Sequence, residues 1–150
     1  MNAADIHEFC KELNEFYRER FKYNPNYRRY RCHVWANKID VKTPKYRLCL
    51  SWQDYDNKIA ITSISFTQTH AGHGTAFLTL LVSLSKKYGY ERIEFISVCT
   101  EPMKQFVKKY NFINHPQQKL FDEDDGWSKD WSCSVADLVK MGFSHYDAGY

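Results

Sequence analysis

The most informative stretch for the fold runs from residue 58 to residue 89 and reads KIAITSISFTQTHAGHGTAFLTLLVSLSKKYG. Its first part, residues 58–68, is rich in β-branched residues, which favours a strand. Gly72 and Gly74 follow in a short polar segment, and apolar residues then recur at intervals of three and four up to Gly89, as on one face of a helix. These patterns predict a strand, a glycine loop and a helix in direct succession.

The segments around this unit predict further helices and strands. Apolar residues at intervals of three and four predict a helix over residues 6–21, with Asp5 as its cap. Aromatic and β-branched residues predict three more strands, at 27–36, 46–53 and 91–99. The first two of these are expected to pair antiparallel. Two short helices are predicted near the end of the chain, one from Pro102 to Asn111 and one that begins with a capping box at Ser134.

The length and composition of the chain indicate one folded domain. The protein has 150 residues and a mass of 17.9 kDa, with 43% hydrophobic and 17% aromatic residues. A domain of this size buries enough surface to fold without a disulfide or a metal ion, and the aromatic content argues against a disordered chain. We therefore expect a single domain over residues 1–150.

The formal net charge of +3 hides an uneven distribution of charge. Residues 17–50 hold ten Lys and Arg against two carboxylates, whereas residues 122–150 hold two Lys against seven carboxylates. Three interpretations fit this pattern: two solvated faces, an attraction between the two ends, or an anionic ligand on the basic half.

The cysteines and the N-terminus predict the compartment. Five cysteines, at positions 10, 32, 49, 99 and 133, show no CxxC spacing, which is typical of reduced thiols in a cytoplasmic protein. The first eight residues have neither a basic flank nor an apolar run, and no apolar stretch of the sequence is long enough to span a bilayer. We expect a cytoplasmic protein without a signal peptide or a membrane span.

The glycine loop predicts an anion-binding site. Two glycines between a strand and a helix let the backbone approach a ligand, and the first amides of the helix point toward it with partial positive charge. Phe77 stands where a dinucleotide fingerprint needs a third glycine, and no Walker sequence is present, so neither nucleotide motif is satisfied. An ordinary helix start without a ligand is the alternative.

His70 and His73 supply only two metal ligands, so we predict no metal site.

Two blocks of the sequence resemble signatures of the GCN5-related N-acetyltransferase (GNAT) superfamily. Residues 69–74, THAGHG, are similar to its coenzyme A loop Q/R-x-x-G-x-G/A. Residues 100–112, TEPMKQFVKKYNF, are similar to its later signature N-x-x-A-x-x-x-Y-x-K-x-G-F. The residues that match outright are Gly72, Gly74, Lys109 and Phe112.

The resemblance implies an α+β fold in which helices flank a mixed, mostly antiparallel sheet. The strands 58–68 and 91–99 are expected to lie side by side and to splay apart into a V. The second block also departs from its signature, since Val107 stands where many members have the tyrosine that protonates the departing thiolate. Tyr110 lies three residues further on nearly the same helix face. The other departures are Thr69, Thr100, Met103 and Asn111.

The activity implied by the resemblance is that of an N-acetyltransferase, in which an amine attacks the thioester of acetyl-CoA directly. Pantetheine would pair with the backbone of 66–68, and pyrophosphate would rest on the amides of 71–76. The implied cofactor-binding residues are Phe66, Thr67, Gln68, Ala71, Gly72, His73, Gly74, Thr75, Ala76 and Thr100.

Three side chains are candidates for proton transfer. Tyr110 is the candidate acid, with a packed aromatic residue as the alternative interpretation. Glu94 and Glu101 are the candidate bases, with an exposed surface carboxylate as the alternative for each. The sequence does not identify the acceptor amine, which belongs to a small molecule or to a protein.

A binding module is the alternative function. Residues 17–31 interleave cations with aromatic rings, a composition that binds single-stranded nucleic acid. In this alternative the chain is a catalytically impaired GNAT-like module whose basic face binds nucleic acid or an acidic protein. A third version keeps the activity and uses that face to hold an acidic protein or an RNA substrate. The sequence leaves the oligomeric state open, and a homodimer is compatible with it.

Overall fold

A computed structural model of the protein describes residues 3–22, 31–43, 46–53, 57–66, 72–116 and 127–143. Within these ranges the chain forms helices and strands in the following order: α1 (Ala3–Phe21), β1 (Arg31–Trp35), β2 (Lys38–Lys42), β3 (Tyr46–Gln53), β4 (Lys58–Phe66), α2 (His73–Tyr88), β5 (Arg92–Phe95), α3 (Glu101–Lys109), β6 (Ile113–Pro116), β7 (Trp127–Ser134) and α4 (Val135–Lys140).

The strands form one seven-stranded sheet in the order β1-β2-β3-β4-β5-β7-β6. Every neighbouring pair in this sheet is antiparallel except β4 and β5, which are parallel. Parallel neighbours need a long crossover, and α2 provides it between these two strands. The predicted α+β fold with a mixed, mostly antiparallel sheet is confirmed.

The parallel pairing of β4 with β5 is short. It runs from Lys58 opposite Arg92 to Ile61 opposite Phe95, and the amide of Ile96 still donates to the carbonyl of Ile61 at 2.9 Å. Strand β4 continues to Phe66 along β3, whereas β5 has already ended. The two strands therefore separate beyond Ile61, and this is the V-shaped splay that the resemblance implies.

The core joins α1 and α2 to the sheet. The apolar face of α1 buries Phe9 and Leu13 completely, as its periodicity predicts. Tyr17 stacks on Tyr46 of β3 with ring centroids 3.8 Å apart, and Phe9 meets Tyr88 of α2 edge to face at 5.1 Å. The start of the chain is thus packed both on the sheet and on the crossover helix.

Three helix ends lie where the sequence predicts them. Gly89 ends α2 and Asn111 follows α3, both in the left-handed conformation, with φ of 79° and 58°. Ser134 caps α4 by accepting a hydrogen bond from the amide of Asp137 at 3.1 Å. Helix α1 begins at Ala3 rather than after Asp5, so Asp5 lies inside the first turn, where a negative charge also stabilises a helix.

The strand predictions need three corrections. Residues 38–42, which lie between the predicted strands 27–36 and 46–53, form β2, because Ile39 and Val41 alternate with polar residues and fill the core. Strands β6 and β7 were not predicted, since polar residues such as Ser132 occupy buried positions there. The predicted strand 91–99 ends at Phe95, because Ser97 adopts a left-handed φ of 57°. Residues 27–30 of the predicted first strand lie outside the described ranges.

Two further observations concern membrane and redox properties. No helix in the described part of the chain is long and apolar enough to cross a membrane. Cys49, Cys99 and Cys133 are free thiols, and burial raises the pKa of the Cys133 thiol.

Gly89 offers a test of the backbone at the end of α2. A Cβ at this position would meet nothing within 4 Å, so substitution changes only the cost of the left-handed conformation. We expect Gly89→Ala to lower the free energy of unfolding by about 1 kcal/mol in urea denaturation, and Gly89→Asn to lower it less, because Asn tolerates this conformation. Equal losses for Ala and Asn would contradict this account.

Candidate functional site

The first turn of α2 has the features of an anion-binding site. Gly72 precedes the helix with a left-handed φ of 77°, and the first helical hydrogen bond runs from the amide of Ala76 to the carbonyl of Gly72 at 3.0 Å. The amides before Ala76 have no acceptor within the helix and carry its positive dipole end. The first turn holds no carboxylate, and its N-cap residue, Gly72, has no side chain that could accept a hydrogen bond from the free amides. This end of the helix therefore suits a phosphate.

Gly74 brings α2 close to α3. A Cβ at Gly74 would lie 3.1 Å from Cε2 of Phe106, which is closer than side chains normally approach. The two positions therefore favour glycine for different reasons. Gly72 has a backbone conformation that L-residues rarely adopt, and Gly74 leaves room for an aromatic ring of the neighbouring helix.

A hydrogen bond joins the two blocks that carry the sequence resemblance. The hydroxyls of Thr75 and Tyr110 lie 2.8 Å apart, with Thr75 in the first turn of α2 and Tyr110 at the end of α3. The Tyr110 ring is buried edge to face against Phe106 and Phe143. A predicted cofactor-binding residue and the predicted acid are thus in direct contact.

A cleft opens where β4 and β5 separate. It has a volume of about 220 Å³ and lies between the second half of β4, residues 96–100 and the first turn of α3. Among the described residues, every side chain that lines it is uncharged. The lining residues are Ile61, Thr62, Ser63, Ile64, Phe95, Ile96, Ser97, Val98, Cys99, Thr100 and Met103.

Ser97 and Asp130, which the sequence did not single out, shape the wall of the cleft that follows β5. Ser97 is held in its left-handed conformation by a hydrogen bond from its amide to Oδ1 of Asp130 at 3.0 Å. The next hydrogen bond runs from the amide of Val98 to the carbonyl of Lys129 at 2.8 Å. Residues 97 and 98 therefore bond to β7 instead of β4, which keeps the V open.

Thr100, a predicted cofactor-binding residue, lines the cleft at the start of α3. Its hydroxyl caps α3 by accepting a hydrogen bond from the amide of Met103 at 3.4 Å. Val107, which replaces the tyrosine of the family signature, lies one turn beyond Met103 and is fully buried. At a rise of about 1.5 Å per residue, Tyr110 lies about 10 Å along the helix from Met103.

The two predicted bases lie outside the lining of the cleft. Glu94 is largely buried and forms an ion pair with Lys58, with Oε1 and Nζ 3.3 Å apart. Glu101 is exposed in the first turn of α3 and lies 3.6 Å from Nζ of Lys104. The predicted cofactor residues Thr67, Gln68 and Ala71 are outside the described ranges. Of Phe66, only the backbone in β4 is described.

An unpredicted contact connects α1 to the glycine loop. Nε of Arg20 donates to Nδ1 of His73 at 2.7 Å, and the ring of Phe21 lies 4.7 Å from the imidazole. Burial and the neighbouring Arg20 guanidinium lower the pKa of His73, so the imidazole stays neutral and can accept the bond. Arg20 lies seven positions after Leu13, half-buried on the same face of α1, and no sequence motif marks it.

Part of the alternative nucleic-acid face is not available for stacking. Tyr17 is fully buried between α1 and β3, and Phe21 is buried beside His73. Residues 23–30, which carry most of the predicted face, are outside the described ranges. In the described part of the chain, no group of three or more His, Cys, Asp or Glu side chains could hold a metal ion.

Comparison with known structures identifies the architecture. A protein from T. thermophilus that is assigned as an acetyltransferase superposes with a TM-score of 0.51, covering 86% of this chain and 85% of its own, at 12% identity. A probable acetyltransferase of the GNAT family from Chromobacterium violaceum ATCC 12472 gives a TM-score of 0.50, covering 70% of this chain and 63% of its own, at 12% identity. The chain has the GNAT fold. No model of a known protein family matches the sequence, and no curated protein matches it either.

The GNAT fold gives the two sequence blocks a common location. The glycine loop begins the crossover helix between β4 and β5, and the second block forms α3 directly after β5. Gly74 and Phe106, one from each block, face each other across the two helices. Two short and imperfect signatures thus predicted the fold correctly.

The contact between Gly74 and Phe106 can be measured. We expect Gly74→Ala to lower the free energy of unfolding by about 1 kcal/mol, because overpacking outweighs the better helix propensity of alanine. In the double variant with Phe106→Leu, the same alanine should stabilise the protein. A double-mutant cycle by urea denaturation gives the coupling energy, and additive effects would contradict this contact.

His73 predicts a pH-dependent stability. Its pKa is lowered in the folded protein, whereas the unfolded chain binds the proton near the ordinary value of 6.5. The unfolded state therefore binds more protons below about pH 6.5, and the stability of the fold must decrease as the pH falls through this value toward the lowered pKa. The melting temperature should fall more steeply between about pH 7.5 and 5.5 in the wild type than in His73→Asn, which cannot titrate. Identical slopes for both proteins would disprove this role.

Proposed function

We propose that the chain is an acetyl-CoA-dependent N-acetyltransferase in which an acceptor amine attacks the thioester directly. The observation that carries this proposal is that the start of α2, with its unpaired amides, follows the same strand whose separation from β5 forms the cleft. A ligand with a phosphate at one end and a slender neutral arm can use both features at once.

The described residues fit coenzyme A in three respects. Gly72 places no side chain at the start of α2, and the amides of residues 73–75 would hold the pyrophosphate. Among the described residues, β4 has no strand partner on its β5 side beyond Ile61, so its backbone there would pair with the amides of pantetheine. The uncharged lining of the cleft also suits the neutral pantetheine arm. Acetyl-CoA supplies the activated acetyl group when it is bound.

The lining of the cleft limits which group can remove a proton from the acceptor amine. An acceptor amine must lose a proton to react, and among the described residues no Asp, Glu or His lines the cleft to accept it. We propose that water at the open mouth of the V accepts this proton. Glu94 and Glu101 stay predictions as bases, and each would have to act through such water because neither lines the cleft.

Two roles are distinguishable for Tyr110. Its buried ring and its bond to Thr75 support a role in positioning the start of α2, in place of the predicted role as general acid. We expect Tyr110→Phe and Thr75→Val to weaken acetyl-CoA binding to a similar extent and to leave kcat within about threefold. A fall in kcat of about 100-fold in Tyr110→Phe alone would instead identify its hydroxyl as the acid.

Cofactor binding is the direct test of the proposed function. Acetyl-CoA should raise the melting temperature of the wild type, since a ligand at about 100 times its Kd stabilises the folded state by about 2.7 kcal/mol. Gly72→Glu should abolish the shift, because it places a carboxylate where the phosphates would bind.

A matched control lies at the other end of the same helix. Gly89→Glu introduces the same side chain at a glycine with nearly the same φ, 79° against 77°, but far from the proposed phosphate site. It should destabilise the protein and keep the shift with acetyl-CoA. No shift of the wild type at about millimolar acetyl-CoA would reject the proposed function.

A further inference from the structure

Arg20 reaches from the last turn of α1 to the first turn of α2. Its Nε donates to Nδ1 of His73 at 2.7 Å, and its Nη2 lies 3.5 Å from the position that a Cβ on Gly72 would occupy. The guanidinium thus lies beside both residues that begin the helix. This is a close contact between distant parts of the sequence, because 53 positions separate Arg20 from His73.

The surroundings of His73 determine the orientation of this guanidinium. The imidazole is 8% exposed and packs against Phe21, which stacks on Tyr46 of β3. A neutral imidazole held in this way presents Nδ1 as a fixed acceptor for Nε of Arg20. The bond uses one of the five N–H donors of the guanidinium, and Nη2 of the same group lies beside Gly72.

The glycine loop has no positive side chain of its own. Residues 69–76, THAGHGTA, contain neither Lys nor Arg, and Thr69 occupies the position where the family signature has Gln or Arg. The first turn of α2 holds no Lys or Arg, so its positive potential comes from the backbone amides and the helix dipole. Arg20 is the cation that the described structure places against this turn.

We propose that Arg20 is a binding residue for the pyrophosphate of the cofactor and supplies from α1 the positive charge that the glycine loop lacks. This inference rests on the proposed function and adds a residue outside both sequence signatures. A guanidinium binds phosphate oxygens through paired N–H groups, and such charge-assisted bonds are stronger than those of backbone amides alone. His73 then acts as a positioning residue, because it holds the guanidinium beside Gly72.

The test compares the binding of two phosphate ligands, coenzyme A and inorganic pyrophosphate, by isothermal titration calorimetry. Arg20→Gln should weaken both by about 10- to 100-fold, the effect expected for one hydrogen bond to a charged group. Arg20→Lys should give a smaller loss, because it keeps the charge without the planar fork. Arg18→Gln is the matched control, since Arg18 is exposed on the same helix, and it should leave both affinities unchanged.

Further measurements separate phosphate binding from a purely structural role. Affinity for dephospho-CoA, which keeps the pyrophosphate, should fall as much as affinity for coenzyme A in Arg20→Gln. The dependence of log Kd on salt should also become shallower, because one cation fewer meets the phosphates. A lower melting temperature with unchanged affinities would show that Arg20 only joins α1 to α2, and would overturn the inference. If Arg20→Gln does not fold, Arg20→Lys decides, because unchanged affinities in that variant would also overturn the inference.

The outcomes for the wild type distinguish the inference from the proposed function. Pyrophosphate binding that depends on Arg20, without binding of coenzyme A, would uphold the anion site and reject the acetyltransferase. Coenzyme A binding that is insensitive to Arg20 would uphold the proposed function and reject this inference. Binding of neither ligand would reject both.

Discussion

The parallel pairing of β4 with β5, which stops after Ile61, positions every part of the candidate site. Parallel neighbours require a crossover, and α2 fills it, so the helix must begin close to the end of β4. Because the same pairing stops early, the sheet opens next to that helix end. One short ladder therefore determines both the position of the candidate anion-binding turn and the position of the cleft.

Close packing around the start of α2 depends on side chains that are absent or small. Gly72 adopts a left-handed conformation beside Arg20, and Gly74 leaves space for Phe106. Three helices thus meet at one turn: α1 through Arg20, α3 through Phe106 and Tyr110, and α2 itself. A ligand bound at this turn would affect all three, which is why substitutions there are expected to change stability and affinity together.

The sequence predicted the local parts of this arrangement well. The strand, the glycine loop and the helix follow from residues 58–89 alone, since their propensity, glycine spacing and periodicity agree. The prediction missed β2, although Ile39 and Val41 alternate with polar residues there, and it missed β7. In β7, Ser132 and Cys133 are neighbours and both are buried, so the strand shows no alternation of polar and apolar residues. The end of β5 at Phe95 depends on Asp130, which is distant in sequence.

In the candidate site, too, some features follow from the local sequence and others only from the tertiary structure. Local sequence was sufficient for the glycine loop, for the helix boundaries at Gly89 and Asn111, and for the two blocks that resemble the GNAT signatures, because these are relations between residues a few positions apart. The packed fold was needed to show that Tyr110 meets Thr75, that Glu94 pairs with Lys58, and that Arg20 lies beside Gly72. Such contacts depend on how the helices and strands pack together, and no local pattern encodes which polar side chain meets which.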